Sequence, residues 1–134
     1  MNSVSSAAGT DRLLSELDHQ RLRRLAPQHA ALQDALDAAE LLPSPQLPAD
    51  VVSMNSEVDV LGAAGQRAQR LTLCYPVDAQ PELGRISVLS PVGLSLLGRA
   101  VGCQVQWRSP TGAPGSLRIQ ALAYQPEASG DFGR

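Results

Sequence analysis

The chain has 134 residues, 43% hydrophobic and 18% charged, enough to bury the core of one ordinary domain or of a small domain with an appendage. A formal net charge of −2 supplies no concentrated basic face, which disfavours direct binding of DNA or RNA through phosphates. No apolar run approaches the ~20 residues of a membrane span, and residues 1–10 lack the basic start and apolar middle of a signal peptide, so the chain reads as cytoplasmic.

Residues 1–10 are small and polar and are expected to be disordered. Residues 11–42 form a block rich in leucine, alanine and charge, broken at Ala26-Pro27. At 100° per residue Leu13, Leu14, Leu17 and Leu25 share one side, as do Leu32, Ala35, Leu36, Ala39 and Leu42 after the break. This predicts two amphipathic helices of ~15 residues, ~22 Å each, paired as a short antiparallel coiled-coil hairpin. Its tip reads Arg23-Arg24-Leu25-Ala26-Pro27-Gln28-His29. His19 and His29 have no third ligand at useful spacing and read as solvated surface histidines, so no metal is expected.

The stretch 43–49, with Pro43, Pro45 and Pro48, opposes helix and is expected to be an extended, semi-rigid linker. From residue 50 onward the hydrophobic period becomes two. Strands are predicted at Glu57–Leu61, Gln66–Tyr75, Arg85–Leu89, Cys103–Arg108 and Ser116–Tyr124. Their inward faces carry Leu71, Leu73 and Tyr75; Ile86 and Val88; Val105 and Trp107; and Leu117, Ile119 and Ala121. Turns fall at Gly62–Gly65 and across Pro110–Gly115. Cys74 and Cys103, each at or inside a strand, fit neither a disulfide framework nor metal spacing and read as ordinary thiols.

Between the third and fourth strands Ser90 can cap a helix, Pro91 suits its first position and Gly98 can end it. Two turns carrying Val92, Leu94, Leu96 and Leu97 cannot stand alone and must plug one face of the sheet. The predicted class is therefore α+β: an N-terminal helical hairpin followed by a bent antiparallel sheet with one short helix. All 11 basic residues are arginine, no glycine loop precedes a lysine, and no serine sits in a nucleophile elbow. The chain is not expected to be an enzyme or to hold a cofactor.

The segment from Ile86 to Gly102 resembles the C-terminal domain of the GreA/GreB transcription elongation and transcript-cleavage factors. Asp50–Val58 and Tyr124–Phe132 narrow the resemblance to that family's branch of regulators of nucleoside diphosphate kinase. The resemblance implies an FKBP-like domain over residues 50–134 that binds RNA polymerase at the mouth of the secondary channel, near a two-helix projection of the largest subunit. It implies docking through Ser90, Pro91, Val92 and Gly93, with Leu97 in the core, and binding by residues 50–134 without the hairpin. One departure is Cys103, where the cleavage factors commonly carry aspartate.

Cleavage factors of the family also present an Asp-x-x-Glu pair at the hairpin tip, which helps hold a catalytic magnesium ion. The tip here carries no acid; Asp18, Asp34 and Asp37 sit well back from it. The implied function is a non-catalytic, monomeric regulator that competes with cleavage factors at the polymerase, with an indirect effect on nucleoside diphosphate kinase. Two alternatives remain open: an active cleavage factor using Asp34 and Asp37, and an FKBP-like peptide-binding chaperone or isomerase. The latter would need several aromatic rings around a pocket, and the chain has one Trp, one Phe and two Tyr. Glu127 and Asp131 could serve binding or tie down the C-terminal segment.

Overall fold

The structure, a computed structural model, describes residues 12–62, 68–109 and 111–130. The expected disorder at 1–10, most of the turn at Gly62–Gly65, Pro110 and Asp131 lie outside them. Five strands form one sheet: β3 (Glu57–Gly62), β4 (Ala68–Cys74), β5 (Arg85–Ser87), β6 (Gln104–Arg108) and β7 (Pro114–Tyr124), ordered β5-β4-β3-β7-β6. The alternation that predicted them is visible in β3, where Val58 and Val60 are buried between half-buried neighbours, and in β4, where Leu71 and Leu73 are buried.

Two details of the sheet depart from the pattern. The β4–β5 pair is parallel, because residues 75–84 fold into two short 3-10 turns, Pro76–Asp78 and Pro81–Leu83, that carry the chain back before β5 begins. On β7 the inward set is Leu117, Ile119 and then Leu122, so Ala121 is exposed rather than inward. The cause is a bulge: Asp59 pairs with Ala121 while Val60 pairs with Ile119, leaving Gln120 without a partner across the ladder and shifting the parity by one.

The N-terminal block corrects the expected coiled coil. Its helices are α1 (Glu16–Arg23) and α2 (Ala30–Ala38), of 8 and 9 residues, or about 12–14 Å. The outer residues of the block form two short strands, β1 (Leu13–Ser15) and β2 (Glu40–Leu42), which pair in parallel, so the helices are the crossover between them. Ser15 caps α1 by accepting the Asp18 N–H at 3.0 Å, and acidic Glu16 and Asp18 precede basic Arg21 and Arg23, as the helix dipole favours. The buried residues of α1 are Asp18 and Leu22 at i, i+4 spacing, and Leu14 of β1 is buried too, whereas Leu13, Leu17 and Leu25 are only half-buried. In the proline-rich stretch, Ser44–Gln46 is a 3-10 turn instead of an extended segment, and Leu47 is buried.

One hydrophobic cluster joins the two regions: Leu14 of β1 and Leu22, Leu32 and Leu36 of the helices meet Val52, Met54, Val58, Leu73, Leu97 and Ile119. Backbone bonds support it, with Leu13 N–H donating to Gly98 O at 3.0 Å, and Val52 N–H donating to Arg99 O at 2.8 Å. The helical block is thus packed on the sheet and does not project freely from it.

Candidate functional site

The short helix α3 (Pro91–Leu96) forms as its punctuation requires. The Ser90 hydroxyl accepts the Gly93 N–H at 3.1 Å and donates to Ser87 O at 2.6 Å, so it closes the turn from β5 into the helix. Pro91 occupies the first turn, and Gly98 follows the helix in the left-handed conformation, φ 76°. Gly93 is buried, and a Cβ there would run into the backbone carbonyl of Ser87. Leu97 is fully buried, as expected.

Of the four proposed docking residues, two therefore face inward work: Ser90 is a cap and Gly93 is a close packing point. Pro91 is exposed and Val92 half-buried. They sit at the N-terminal end of α3, beside a cavity of about 950 Å³. A six-residue helix is too short to cover a five-stranded sheet, and this bowl is the part left open. Leu71, Ile86, Val92, Trp107 and Leu117 supply its apolar wall, with Gln69, Gln106 and Arg108 among its polar lining. Trp107 packs flat on the neighbouring strand, where a Cβ on Gly115 would lie 2.5 Å from the indole ring. It is the one aromatic side chain in the lining among the described residues.

The far end of α3 is held by a residue the sequence reading missed. Arg12, 9% exposed, donates from Nη1 to Leu94 O at 2.6 Å and to Leu97 O at 2.9 Å. Burial, and then the nearby charge of Arg99, lowers its pKa to about 10, which still leaves it charged at neutral pH. A cation on the last carbonyls of a helix is favourable to its dipole. The residue just before β1 therefore anchors the C-terminal end of α3.

The tip residues Arg23, Arg24, Pro27 and His29 are all exposed. Asp34 and Asp37 are exposed too, and Asp37 accepts a bond from Gln33 Nε2 at 2.8 Å on the same helix. His19 is half-buried, and among the described residues no three His, Cys, Asp or Glu side chains come together as a metal site would require. Cys74 is buried, with burial raising its thiol pKa, and Cys103 is half-buried just before β6; both are free.

Asp18 is the larger surprise, since it is 4% exposed and its Oδ2 accepts the Met54 N–H at 3.0 Å. Its position four residues before the core residue Leu22 was the available signal, because residues at i, i+4 of a helix share a face. Glu127 has a comparable place: Oε1 accepts the Ser53 hydroxyl at 2.6 Å, which ties the C-terminal segment to the loop before β3. Gln125 adds to this by donating to Pro48 O and Val51 O, each at 2.7 Å. No helix among the described residues is long and apolar enough to cross a membrane.

The family model described as "Transcription elongation factor, GreA/GreB, C-term" matches residues 47–124, the segment that holds the sheet, α3 and the cavity. Over 128 residues the chain is 35% identical to the "Regulator of nucleoside diphosphate kinase" of Escherichia coli (strain K12), covering 90% of this chain and 94% of that protein. It is also 30% identical over 126 residues to the "Transcription elongation factor GreA" of Rhodospirillum rubrum, covering 84% of this chain and 80% of that one. Among solved structures, the "Prokaryotic transcription elongation factor GreA/GreB from Nitrosomonas europaea" superposes with a TM-score of 0.70 at 33% identity, over 84% of this chain and 99% of that one.

Proposed function

Since the chain belongs to the GreA/GreB transcription elongation factor family, we propose that it is a non-catalytic transcription regulator that binds RNA polymerase at the secondary channel and competes there with cleavage factors. The observation that carries this reading is a contrast within one chain. The segment that would dock keeps its capped helix, with Val92 lining the cavity and Pro91 exposed next to it, whereas the helical unit offers no carboxylate at its tip and spans only about 12–14 Å. A protein built this way occupies the entrance without delivering a metal ligand to the reaction centre. Any effect on nucleoside diphosphate kinase would then pass through transcription. The partner would be the two-helix projection of the polymerase's largest subunit, and the protein would act as a monomer in the cytoplasm.

The test is competition in a backtracked polymerase complex. Alone, the protein should stimulate no RNA cleavage; added to a genuine cleavage factor, it should lower that factor's activity in proportion to its occupancy. The double substitution Pro91→Ala with Val92→Asp should weaken this inhibition at least tenfold, because an unpaired charge enters a desolvated contact. A folded double variant that inhibits unchanged would remove the docking site from α3. Cleavage lost on Asp34→Ala would instead make the chain an active factor. An FKBP-like isomerase draws support from the cavity alone, and one ring is a poor wall for a proline.

A further inference from the structure

Two carboxylates from opposite ends of the chain converge on successive residues of the loop before β3. Asp18 of α1 accepts the Met54 N–H, and Glu127 of the C-terminal turn accepts the Ser53 hydroxyl. The Ser53 hydroxyl also lies 2.9 Å from that of Ser56, which accepts the Ser53 N–H at 3.0 Å, so the loop is internally braced. Asp18 is thus an acid on the buried face of a short helix, one turn before Leu22, bonded to a turn whose preceding residue is held by a second acid.

We propose that Asp18 is a proton-sensitive clasp for the N-terminal unit: protonated, it seats α1 on the Ser53–Met54 turn, and ionised, it loosens that seat. The groups facing it are Glu127 from the C-terminal turn, Tyr75 from the end of β4 and Arg21 from its own helix. Burial is the largest influence and disfavours the carboxylate, Glu127 adds to it, and the Met54 N–H and Arg21 oppose; the net result is a pKa raised to about 7. Tyr75, pushed up to about 12 mainly by burial, stays neutral throughout this range and supplies no compensating charge.

The direction follows from linkage. The closed form holds a proton up to about pH 7, whereas α1 swung into water has a carboxyl of about 3.9. Between those values closing takes up a proton, so each unit of rising pH favours opening by about tenfold, and above about pH 7 the dependence fades. Opening of α1 is therefore expected to increase roughly fiftyfold from pH 5 to pH 7 and to level off near pH 8 at about a hundredfold above its pH 5 value.

The experiment uses the full chain. The Asp18 carboxyl is titrated by carbon-detected NMR, and amide exchange of α1 and of Met54, corrected for intrinsic rates, is followed from pH 5 to 8.5. In Asp18→Asn, which keeps an oxygen for the Met54 N–H but cannot ionise, the opening constant should stay flat over the same range. In Glu127→Gln, which keeps the acceptor for Ser53, the Asp18 midpoint should move to lower pH, because a neighbouring negative charge is gone. The proposal is overturned by an Asp18 midpoint below pH 5 in the wild type, by an equal pH slope in Asp18→Asn, or by a midpoint that Glu127→Gln leaves in place. The wild-type titration decides the matter even where a variant folds poorly.

Discussion

Truncation to residues 50–134 is expected to leave a chain that does not fold, although that segment contains every strand of the main sheet and the whole of α3. The reason is the shared core. Leu14, Leu22, Leu32 and Leu36, all 2% exposed or less, would be removed from the cluster that also holds Met54, Leu73 and Leu97. Deleting a buried leucine side chain costs about 2.7–5 kcal/mol, so the loss of four amounts to roughly 11–20 kcal/mol, at least comparable with the whole net stability of a domain. Arg12 would go with them, stripping the charge from the last carbonyls of α3. Far-ultraviolet circular dichroism and amide dispersion in NMR would read the outcome, and a cooperative melt by the fragment would contradict the shared core. The expectation that this fragment binds polymerase without the helices treats the docking region as self-sufficient; packing argues that the helices hold its shape.

Gly93→Ala is expected to destabilise the protein by about 3 kcal/mol or more, a fall in melting temperature of roughly 10 °C. A new methyl group would have to occupy space filled by the carbonyl of Ser87, and that carbonyl is fixed because it also receives the Ser90 hydroxyl. Relief requires α3 to lift from β5, which would reopen the turn that places Pro91 and Val92. The variant should therefore lose polymerase competition through misfolding of the segment. Pro91→Ala with Val92→Asp should lose it with a smaller change in melting temperature, since Pro91 is exposed and Val92 only half-buried. Thermal unfolding read beside the competition assay separates the two, and a Gly93→Ala protein with unchanged stability would mean that the glycine is not a packing point.

What could be seen in the sequence was whatever a few neighbouring residues settle among themselves. The helix at 91–96 is the clearest case: its cap, its proline and its terminating glycine act through bonds that span three or four residues, so Ser90, Pro91 and Gly98 announce it without help from the rest of the chain. The alternation in β3 and β4 is similarly local, because successive side chains of a strand must point to opposite faces.

Tertiary structure decided the remainder. Leu13 and Leu42 fit a helical period, yet they end in strands because residues far apart in the chain pair as β1 and β2, and a local pattern cannot report a distant ladder. The bulge at Gln120 exchanged Ala121 for Leu122 on the inward face, since β7 must satisfy β3 and β6 at once. Arg12 and Asp18 look like ordinary surface charges until their partners, the carbonyls of α3 and the Met54 amide, arrive from elsewhere in the chain. Burial of a charge depends on which elements close over it, and that is fixed by packing between segments rather than by any sequence window.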